Sequence, residues 1–439
     1  MGNGTANQRL KMTAKLDTDM DRVLTKISVR LLPFLFVLYI ISYLDRINLS
    51  FAALQMNQDL KFSDQSFGFG AGIFFLGYCI FGIPSNFVIQ KFGPRRWIGL
   101  IMVLWGLVTV LMCVVHEPVG FYIMRFILGA AEAGFFPGML LYLTFWFPRA
   151  QYGTAVARFM TAIPAAGLLG SALAAHTLSM NGFMGIAGWK WLFIATGAPA
   201  IILGFLVPLL IPDKPEQASW LDKDEKASLT TLLASEQNST GETKESKLAA
   251  LKTPRVWQFA LIYFSLTISM YGFQLWLPQI IKSFVKNDIQ VSLISAIPAL
   301  FQALGMLLIA RSSDKKNERR LHLVAACLLT FLSLTMAALA PLPWLKLVAL
   351  CVAAAGIWGA VGPFWALTRN NLSIQAQAGG IAFINSVGNL GGFAGPYIIG
   401  LIKQISPDFN TSLLALALTS IVASLLAYAA KNELNSKTS

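Results

Sequence analysis

Residues 119–146 read VGFYIMRFILGAAEAGFFPGMLLYLTFW, an apolar run interrupted only by the charges of Arg125 and Glu132. A helix needs about 20 predominantly apolar residues to cross the hydrocarbon layer of a bilayer, which is roughly 30 Å thick. The run is therefore predicted to be a membrane-spanning helix that carries two charges inside the membrane.

The same apolar pattern recurs along the chain, in which 56% of the 439 residues are hydrophobic and 13% are charged. A water-soluble domain of this length could not bury so much apolar surface in one core. Twelve spans are predicted, at 30–52, 66–90, 97–115, 119–146, 154–178, 190–211, 256–281, 291–310, 321–340, 345–367, 378–403 and 411–430. The expected fold is an all-α membrane protein with twelve transmembrane helices in two pseudo-symmetric bundles of six.

Polar segments predict the division of the chain into an N-terminal arm, two bundles, a linker and a tail. The boundaries are 1–29 for the arm, 30–211 and 256–430 for the bundles, 212–255 for the linker and 431–439 for the tail. Within the linker, 218–233 is predicted to form a surface helix and 235–246 to be flexible. The bundles resemble a diverged repeat, since the SYLDR of 42–46 aligns with the MYGFQ of 270–274 and keeps the tyrosine.

The formal net charge of +13 comes from 34 basic and 21 acidic residues, and the placement of the basic residues argues against nucleic-acid binding. Most of the basic residues fall in alternate polar segments, beginning with the arm. By the positive-inside rule, both termini are expected in the cytoplasm of a bacterial cell, with the chain as a multi-pass protein of the inner membrane. The four cysteines fall inside predicted spans, which argues against a disulfide framework.

Four ionisable residues lie well inside predicted spans, namely Asp45, Arg46, Arg125 and Glu132. A charge at the bilayer centre costs at least about 2.5 kcal/mol, so such residues usually face a cavity, pair with one another or carry ions. Arg125 and Glu132 are almost two turns apart and share one helix face, whereas adjacent Asp45 and Arg46 point in different directions. Two acid–arginine pairs could simply hold the first and fourth spans together.

A functional interpretation is favoured, because apolar residues often hold helices together as well as ion pairs do. An anion that pairs with Arg46 or Arg125 would draw the arginine away from Asp45 or Glu132 and favour protonation of the freed carboxylate. This competition predicts coupled transport of a small organic anion and protons, with Asp45 and Glu132 as the proton carriers.

Other functional classes lack the residues that they need. The three histidines, His116, His176 and His322, are far apart and have no metal-ligand spacing, and no glycine-rich phosphate loop is present. The sequence therefore predicts no enzyme activity, no metal, no cofactor and no ATP-driven transport. An exporter of drugs or metabolites with the same fold and a passive facilitator are the competing interpretations.

Two loops resemble the cytoplasmic signature of the major facilitator superfamily. They are NFVIQKFGPRR at 86–96 and, in the second half, ARSSDKKNERR at 310–320. In that signature an acidic residue at a helix end pairs with arginines and latches the inner gate. Asp314 fits this pattern, whereas Gln90 stands in the place of the acid in the first half. The resemblance implies a gating role for Lys91, Arg95, Arg96, Asp314, Arg319 and Arg320.

Longer segments resemble the anion:cation symporter family within this superfamily. They are SYLDRIN at 42–48, GIPSN at 82–86, 125–138 and YLTFWFP at 142–148. The resemblance implies that Asp45 and Glu132 carry protons, that Arg46 and Arg125 handle a carboxylate, and that Tyr78 and Asn389 line the site. Bacterial members of the family take up tartrate, phthalate, 4-hydroxyphenylacetate or sugar acids.

The identity of the carboxylate is not decided by the sequence. Ile163 stands where sugar-acid transporters carry a glutamine, which argues against a polyhydroxylated ligand. Aromatic residues of the second half, among them Tyr271 and Trp358, are candidates to bind a compact or aromatic acid, unless they belong to the interfacial belt. The proton stoichiometry is also open, and a monomer is expected.

Overall fold

A computed structural model describes residues 3–237, 253–372 and 374–430 of the chain. Within these ranges the chain is helical and contains no β-strand. Seventeen α-helices follow one another in the described ranges: α1 Asn3–Asp59, α2 Asp64–Phe92, α3 Pro94–Leu111, α4 Pro118–Glu132, α5 Phe135–Thr144, α6 Arg149–Met160, α7 Ala162–Ser179, α8 Gly188–Leu210, α9 Lys223–Gln237, α10 Pro254–Lys282, α11 Asp288–Ile294, α12 Ala296–Lys315, α13 Arg320–Leu339, α14 Pro343–Gly359, α15 Val361–Asn371, α16 Ile374–Ile405 and α17 Asn410–Ala429. Three short 3-10 helices lie between them, at Met112–Val114, Phe183–Gly185 and Pro215–Gln217.

The helices confirm the predicted all-α membrane fold. By length and composition, the described part of the chain has eleven segments that are able to cross a membrane. The remaining predicted span, 378–403, lies within the glycine-rich helix α16. Helix α1 begins at Asn3, ahead of the predicted first span, and its membrane-spanning candidate segment is Met20–Asp59.

Four of the predicted spans are each formed by two consecutive helices, and a proline explains every break. The breaks separate α4 from α5, α6 from α7, α11 from α12 and α14 from α15. Each falls about four residues before a proline, at Pro137, Pro164, Pro298 or Pro363. Proline has no amide hydrogen to donate to the carbonyl four residues earlier, so the helical ladder is interrupted there.

The linker is partly helical, as predicted, with a shift of the helix bounds. The surface helix expected at 218–233 is α9, Lys223–Gln237. At its start, the backbone amide of Asp222 donates to the Glu225 carboxylate at 2.8 Å, which is one of the two hydrogen bonds of a capping box. The flexible segment predicted at 235–246 lies largely outside the described residues.

Small residues allow close packing of helices within each half. In the first half, α3 and α8 meet at Gly106 and Gly197, where a Cβ on either glycine would lie within 2.8 Å of the partner's carbonyl oxygen. The same holds for Gly99 and Gly204 of these helices. Such contacts suit a membrane protein, in which close van der Waals packing drives helix association.

The helix ends form two sets, because consecutive spans run in opposite directions. The end that carries the segment 211–222 and the loops near residues 93, 146 and 317 is called the linker end. The opposite end, with the loops near residues 61, 184, 285, 341 and 407, is called the distal end. The first half comprises α1 to α8 and the second half α10 to α17.

Contacts between the halves extend from the distal end to about the middle of the helices. Three sets of helices meet across the boundary, α1 with α10, α2 with α16, and α7 with α11 and α12. A Cβ on Gly68 would lie 2.5 Å from the carbonyl oxygen of Pro396, which shows how closely α2 approaches α16. Deeper along the same helices, Cys79 Sγ lies 3.8 Å from the carbonyl oxygen of Ser386. The conformation is therefore closed at the distal end.

Candidate functional site

An ion pair joins the first and fourth spans in the centre of the first half. Arg46 of α1 donates from Nε to Oε2 of Glu132 at 2.9 Å. The Glu132 side chain is fully buried, and 16% of the Arg46 side chain is exposed. The Arg46 guanidinium also lies 5.0 Å from the ring centroid of Tyr78. The positive charge of Arg46 is thus already compensated by a carboxylate.

Asp45, the neighbour of Arg46, points into the interior of the first half. Its two oxygens accept hydrogen bonds from Asn48 Nδ2 at 2.9 Å and from the Thr109 hydroxyl at 2.7 Å. Asn48 donates in addition to the Thr196 hydroxyl at 2.8 Å, so the carboxylate is held by α1, α3 and α8 together. The sequence expectation that adjacent Asp45 and Arg46 point to different partners is confirmed.

Asp45 and Glu132 are both fully buried, and Glu132 bonds to Arg46, the residue next to Asp45. Two ionised carboxylates in one buried site repel each other, and protonation of either relieves the repulsion. Oε1 of Glu132 is buried and has no hydrogen-bond partner among the described atoms. One carboxyl oxygen of this pair is therefore free to carry a proton.

Arg125 of α4 is buried to 2% exposure and differs from Arg46 in its partners. Within the part of the chain that the structure describes, no acidic side chain lies within the 4.0 Å of an ion pair. Its Nε donates to the carbonyl oxygen of Gly70 at the long distance of 3.4 Å, and its guanidinium lies 4.8 Å from the Phe74 ring centroid. The site thus contains one arginine with a carboxylate partner and one without.

Both arginines face a cavity between the two halves, called the central cavity. Its walls come from α1, α2 and α4 of the first half and from α10 of the second. The lining residues are Tyr43, Arg46, Phe74, Phe75, Arg125, Tyr271, Gln274 and Leu275. Two contacts cross the boundary at this level, the Phe75 and Tyr271 rings at 4.2 Å between centroids and a 2.9 Å hydrogen bond from Gln274 to the Tyr43 hydroxyl.

A second cavity, called the adjoining cavity, shares Tyr43 and Gln274 with the first and continues toward α12 and α14. Trp358 and Gln302 lie on its far side. The Gln302 amide nitrogen is buried without a hydrogen-bond partner among the described atoms, as is Nη2 of Arg46 in the central cavity. The volumes are about 20 Å³ for the central and about 50 Å³ for the adjoining cavity, enough for a few water molecules. An organic ligand therefore requires side chains or the halves to move.

The structure brings some of the predicted binding residues together and not others. Tyr271 lines the central cavity and Trp358 the adjoining one. Tyr78 contacts the Arg46 guanidinium with its ring but lines neither cavity, and Asn389 also lines neither cavity. Asn389 lies on α16, three residues before Gly392, which packs against Phe75.

Three polar residues of the cavities, Tyr43, Gln274 and Gln302, were missed as site residues. The repeat offered a signal for two of them, since it aligns Tyr43 with Tyr271 and Arg46 with Gln274. In the structure these aligned residues line one cavity. Gln302 lies in an apolar stretch of α12 and had no counterpart that would single it out.

The predicted gating residues of the second half bond within that half. Arg319 forms an ion pair with Asp314 and donates to the Ser313 hydroxyl at 3.0 Å. Arg320 donates to the carbonyl oxygen of Ala430 at 3.3 Å and lies 5.6 Å from the Tyr428 ring centroid. These contacts tie the loop between α12 and α13 to the end of α17.

In the first half, the equivalent loop is held by an acid from the linker. The backbone amide of Arg95 donates to Oδ1 of Asp213 at 2.9 Å, at the start of α3. Gly93 precedes it with φ of 83°, a left-handed conformation that favours glycine. Lys91 and Arg96 are exposed. Asp213 thus supplies a carboxylate to a loop in which Gln90 replaces the acid of the signature, a role that the sequence did not suggest.

The rest of the described linker packs on the linker end of the first half. Trp220 stacks on Trp146 with ring centroids 5.7 Å apart, and Leu229 of α9 is fully buried. Lys26 of α1 pairs with Glu225 at 2.8 Å, and this hydrogen bond holds the pKa of Glu225 below its ordinary value. The described part of the linker, 212–237, is therefore docked on the first half.

Comparisons with known proteins give the family and the fold. Residues 35–396 match the Major Facilitator Superfamily. A putative tartrate transporter of Agrobacterium vitis is 45% identical over 405 residues, which cover 92% of this chain and 90% of the relative. A quinolone resistance transporter of Acinetobacter baumannii is 38% identical, with coverage of 94% of this chain and 95% of the relative.

Among solved structures, a bacterial homolog of the human lysosomal transporter Spinster, in an inward-facing and unoccupied conformation, has the same fold. Its TM-score is 0.77 at 16% sequence identity, and the match covers 91% of this chain and 96% of that chain. At this identity the likeness establishes the arrangement of helices and not the ligand.

Proposed function

Because the chain belongs to the Major Facilitator Superfamily, and is thus a transporter rather than an enzyme, we propose that it takes up a small dicarboxylate together with protons. The observation that carries this proposal is Arg125, a buried arginine that faces the cavity between the halves without an acidic partner in the described structure. A guanidinium recognises a carboxylate through paired charge-assisted hydrogen bonds. The first ligand group is therefore a carboxylate.

Proton coupling follows from the charge balance of the buried cluster. Asp45, Glu132, Arg46 and Arg125 together have no net charge when all four are ionised. A carboxylate that binds to Arg125 and to the unpartnered Nη2 of Arg46 weakens the bond between Arg46 and Glu132. The two neighbouring acids then take up protons, which restores the balance inside the membrane. Two acids in the cluster allow for two protons, the number that neutralises a dianion.

A compact hydroxy diacid such as tartrate is the substrate that we propose. The two orphaned donors, Arg46 Nη2 and Gln302 Nε2, lie in neighbouring cavities that share Tyr43 and Gln274. One carboxylate would bind at the arginines, and the hydroxyl groups and second carboxylate would bind the tyrosine and the glutamines. The names of the Agrobacterium relatives support this substrate class.

Transport by alternating access would expose this site to each side of the membrane in turn. By the positive-inside rule, we place the linker end in the cytoplasm and the distal end outside the cell. The conformation described here is then closed to the outside. Substrate release to the cytoplasm and deprotonation of the acids belong to this side of the cycle.

The test is uptake of radiolabelled L-tartrate by proteoliposomes with and without an imposed pH gradient. We expect accumulation of tartrate only when the outside is more acidic. Arg125→Gln should lower the uptake efficiency at least about thirtyfold, since loss of a buried charge pair costs about 2 kcal/mol or more. Arg125→Lys keeps the charge without the paired geometry and should recover only part of the activity. Arg158→Gln, at an exposed arginine of α6, is the matched control and should transport as the wild type.

Glu132→Gln tests the coupling separately from binding. The variant should still bind tartrate and exchange it across the membrane, but a pH gradient should no longer drive accumulation. Unchanged proton-driven accumulation would remove Glu132 from the scheme.

Export of drugs is a second candidate function, and the similarity to the quinolone resistance transporter favours it over passive facilitation. Vesicles with the linker end outward distinguish export from anion uptake. Accumulation of a quinolone in such vesicles, with no response of the protein to any carboxylate, would overturn the proposal of anion uptake.

A further inference from the structure

The distal end of the protein contains a polar cavity that is separate from the central site. It lies between the halves and has a volume of about 540 Å³. Three lysines and two aspartates supply the charged part of its lining, namely Lys282, Lys346, Lys403, Asp64 and Asp408. This cavity is called the distal cavity. The cavity is far larger than the central one and carries an excess of one positive charge.

Two of the lysines reach across the boundary between the halves. Lys282 of α10 donates to the carbonyl oxygen of Leu54 in the first half at 2.8 Å and pairs with Asp288 at 2.9 Å. Lys403 of α16 lies 3.9 Å from Oδ2 of Asp64 in the first half. In the closed conformation these contacts help to hold the distal end together.

Lys346, the third lysine, has a neutral partner. Its ammonium donates to Oδ1 of Asn410 at 3.1 Å, within the second half. No carboxylate oxygen of the described residues lies within 4.0 Å of this ammonium. One cation of the distal cavity is therefore available to an anion even in the closed conformation.

The charges of the distal cavity are divided unequally between the halves. All three lysines belong to the second half, whereas Asp64 and the Leu54 carbonyl belong to the first. When the halves separate at the distal end, Asp64 and Leu54 move away with the first half. The second half then presents three lysines at the mouth of the pathway against Asp408 and Asp288, the partner of Lys282, which leaves an excess of one positive charge.

We infer that the distal cavity is a capture site for dianionic carboxylates, in which Lys346 and Lys403 bind the anion before it reaches the central site. This inference rests on the proposed function, because it takes the distal end as the side from which the substrate enters. The anion takes the place of Asp64 at Lys403, so its arrival also weakens a contact that holds the distal end closed. An entrance with an excess of one charge concentrates ligands of the opposite charge and speeds their association.

The kinetic test compares lysine variants in the tartrate uptake assay. Lys346→Gln and Lys403→Gln should each raise KM up to about fivefold, as expected for a partly exposed charge pair worth up to about 1 kcal/mol. The rate at saturation should stay unchanged in Lys346→Gln, which leaves the contacts that close the distal end intact. Added salt should raise the KM of the wild type and have less effect on the variants. Lys286→Gln changes an exposed lysine in the same distal loop region and is the matched control. Wild-type KM values in both lysine variants would overturn the capture site.

A binding test that needs no transport separates this inference from the proposed function. Lysine acetylation is measured by mass spectrometry on purified protein, with sodium tartrate, phthalate or sulfate against sodium chloride at equal ionic strength. At least one dianion should slow acetylation of Lys346 and Lys403 severalfold, with no effect on Lys286. The protection should persist in Arg125→Gln, in which the central site is disabled. Equal acetylation with all salts would overturn the capture site, whereas failure of proton-driven uptake alone would overturn only the proposed function.

Discussion

Replacing Gly129 by alanine should disable the proposed carboxylate site from a position outside the lining of the central cavity. Gly129 lies on α4, one turn from Arg125, and packs against α2. A Cβ at this position would lie 1.9 Å from the carbonyl oxygen of Phe74, whereas real Cβ atoms essentially never come closer than 3.0 Å. Since that neighbour is backbone, α2 and α4 must separate by about 1 Å or more to relieve the contact.

The separation acts directly on the arginines, because the Phe74 ring lies 4.8 Å from the Arg125 guanidinium and 5.9 Å from that of Arg46. Overpacking of this kind costs about 1–3 kcal/mol of stability. A displacement of about 1 Å in a binding constellation lowers activity by about 100-fold. We therefore expect Gly129→Ala to fold with a lower thermal midpoint and to lose most tartrate uptake.

Thermal unfolding of the purified protein and uptake by proteoliposomes measure the two effects. Gly82→Ala is the matched control, since it lies on α2 and a Cβ there meets no atom within 4 Å. Gly82→Ala should keep both stability and uptake. If Gly129→Ala transports tartrate as the wild type does, the packing of α2 against α4 does not position the arginines, and the reasoning is refuted.

Two further predictions concern the ends of the molecule. Asp213→Ala removes the acceptor for the Arg95 amide at the start of α3 and should lower the free energy of unfolding by about 0.5–2 kcal/mol, measured by thermal unfolding. Asp213→Asn keeps an acceptor oxygen and should retain most of the wild-type stability. Equal stability of all three proteins would contradict the capping role. Gln404 donates to Gln65 at 2.6 Å across the closed distal end. The Gln65→Cys, Gln404→Cys pair joined by a short methanethiosulfonate cross-linker should therefore stop uptake until a reductant is added, and uptake by the cross-linked protein would show that this end need not open.

The sequence predicted the fold and the cluster of charges because both follow from the bilayer. Apolar runs of sufficient length reveal membrane helices, and a charge inside such a run has few permitted environments. Arg46 and Glu132 could therefore be assigned to one buried cluster before their contact was known. The four proline-associated breaks within spans do not follow from the apolar runs, because a proline inside such a run does not change the length or composition that identifies a span.

Other features depend on distances that the sequence does not encode locally. Arg46 and Arg125 look alike in the sequence, and only the structure shows that one has a carboxylate partner within ion-pair distance and the other has none among the described residues. Asp213 bonds Arg95 from a segment more than one hundred residues away. The three distal lysines come from different helices and share no motif. Each of these features arises from tertiary placement, not from local pattern.

The proline-associated breaks give the bundle four built-in hinges. At each one, the carbonyl four residues before the proline cannot receive the usual amide hydrogen, so bending at that point sacrifices no ladder bond. Two of the hinges belong to each half, in α4–α5 and α6–α7 and in α11–α12 and α14–α15. Flexing at these points is opposed by the backbone hydrogen bonds that remain around each break and by side-chain packing, so the volumes of the residues around a hinge help to set how easily it bends.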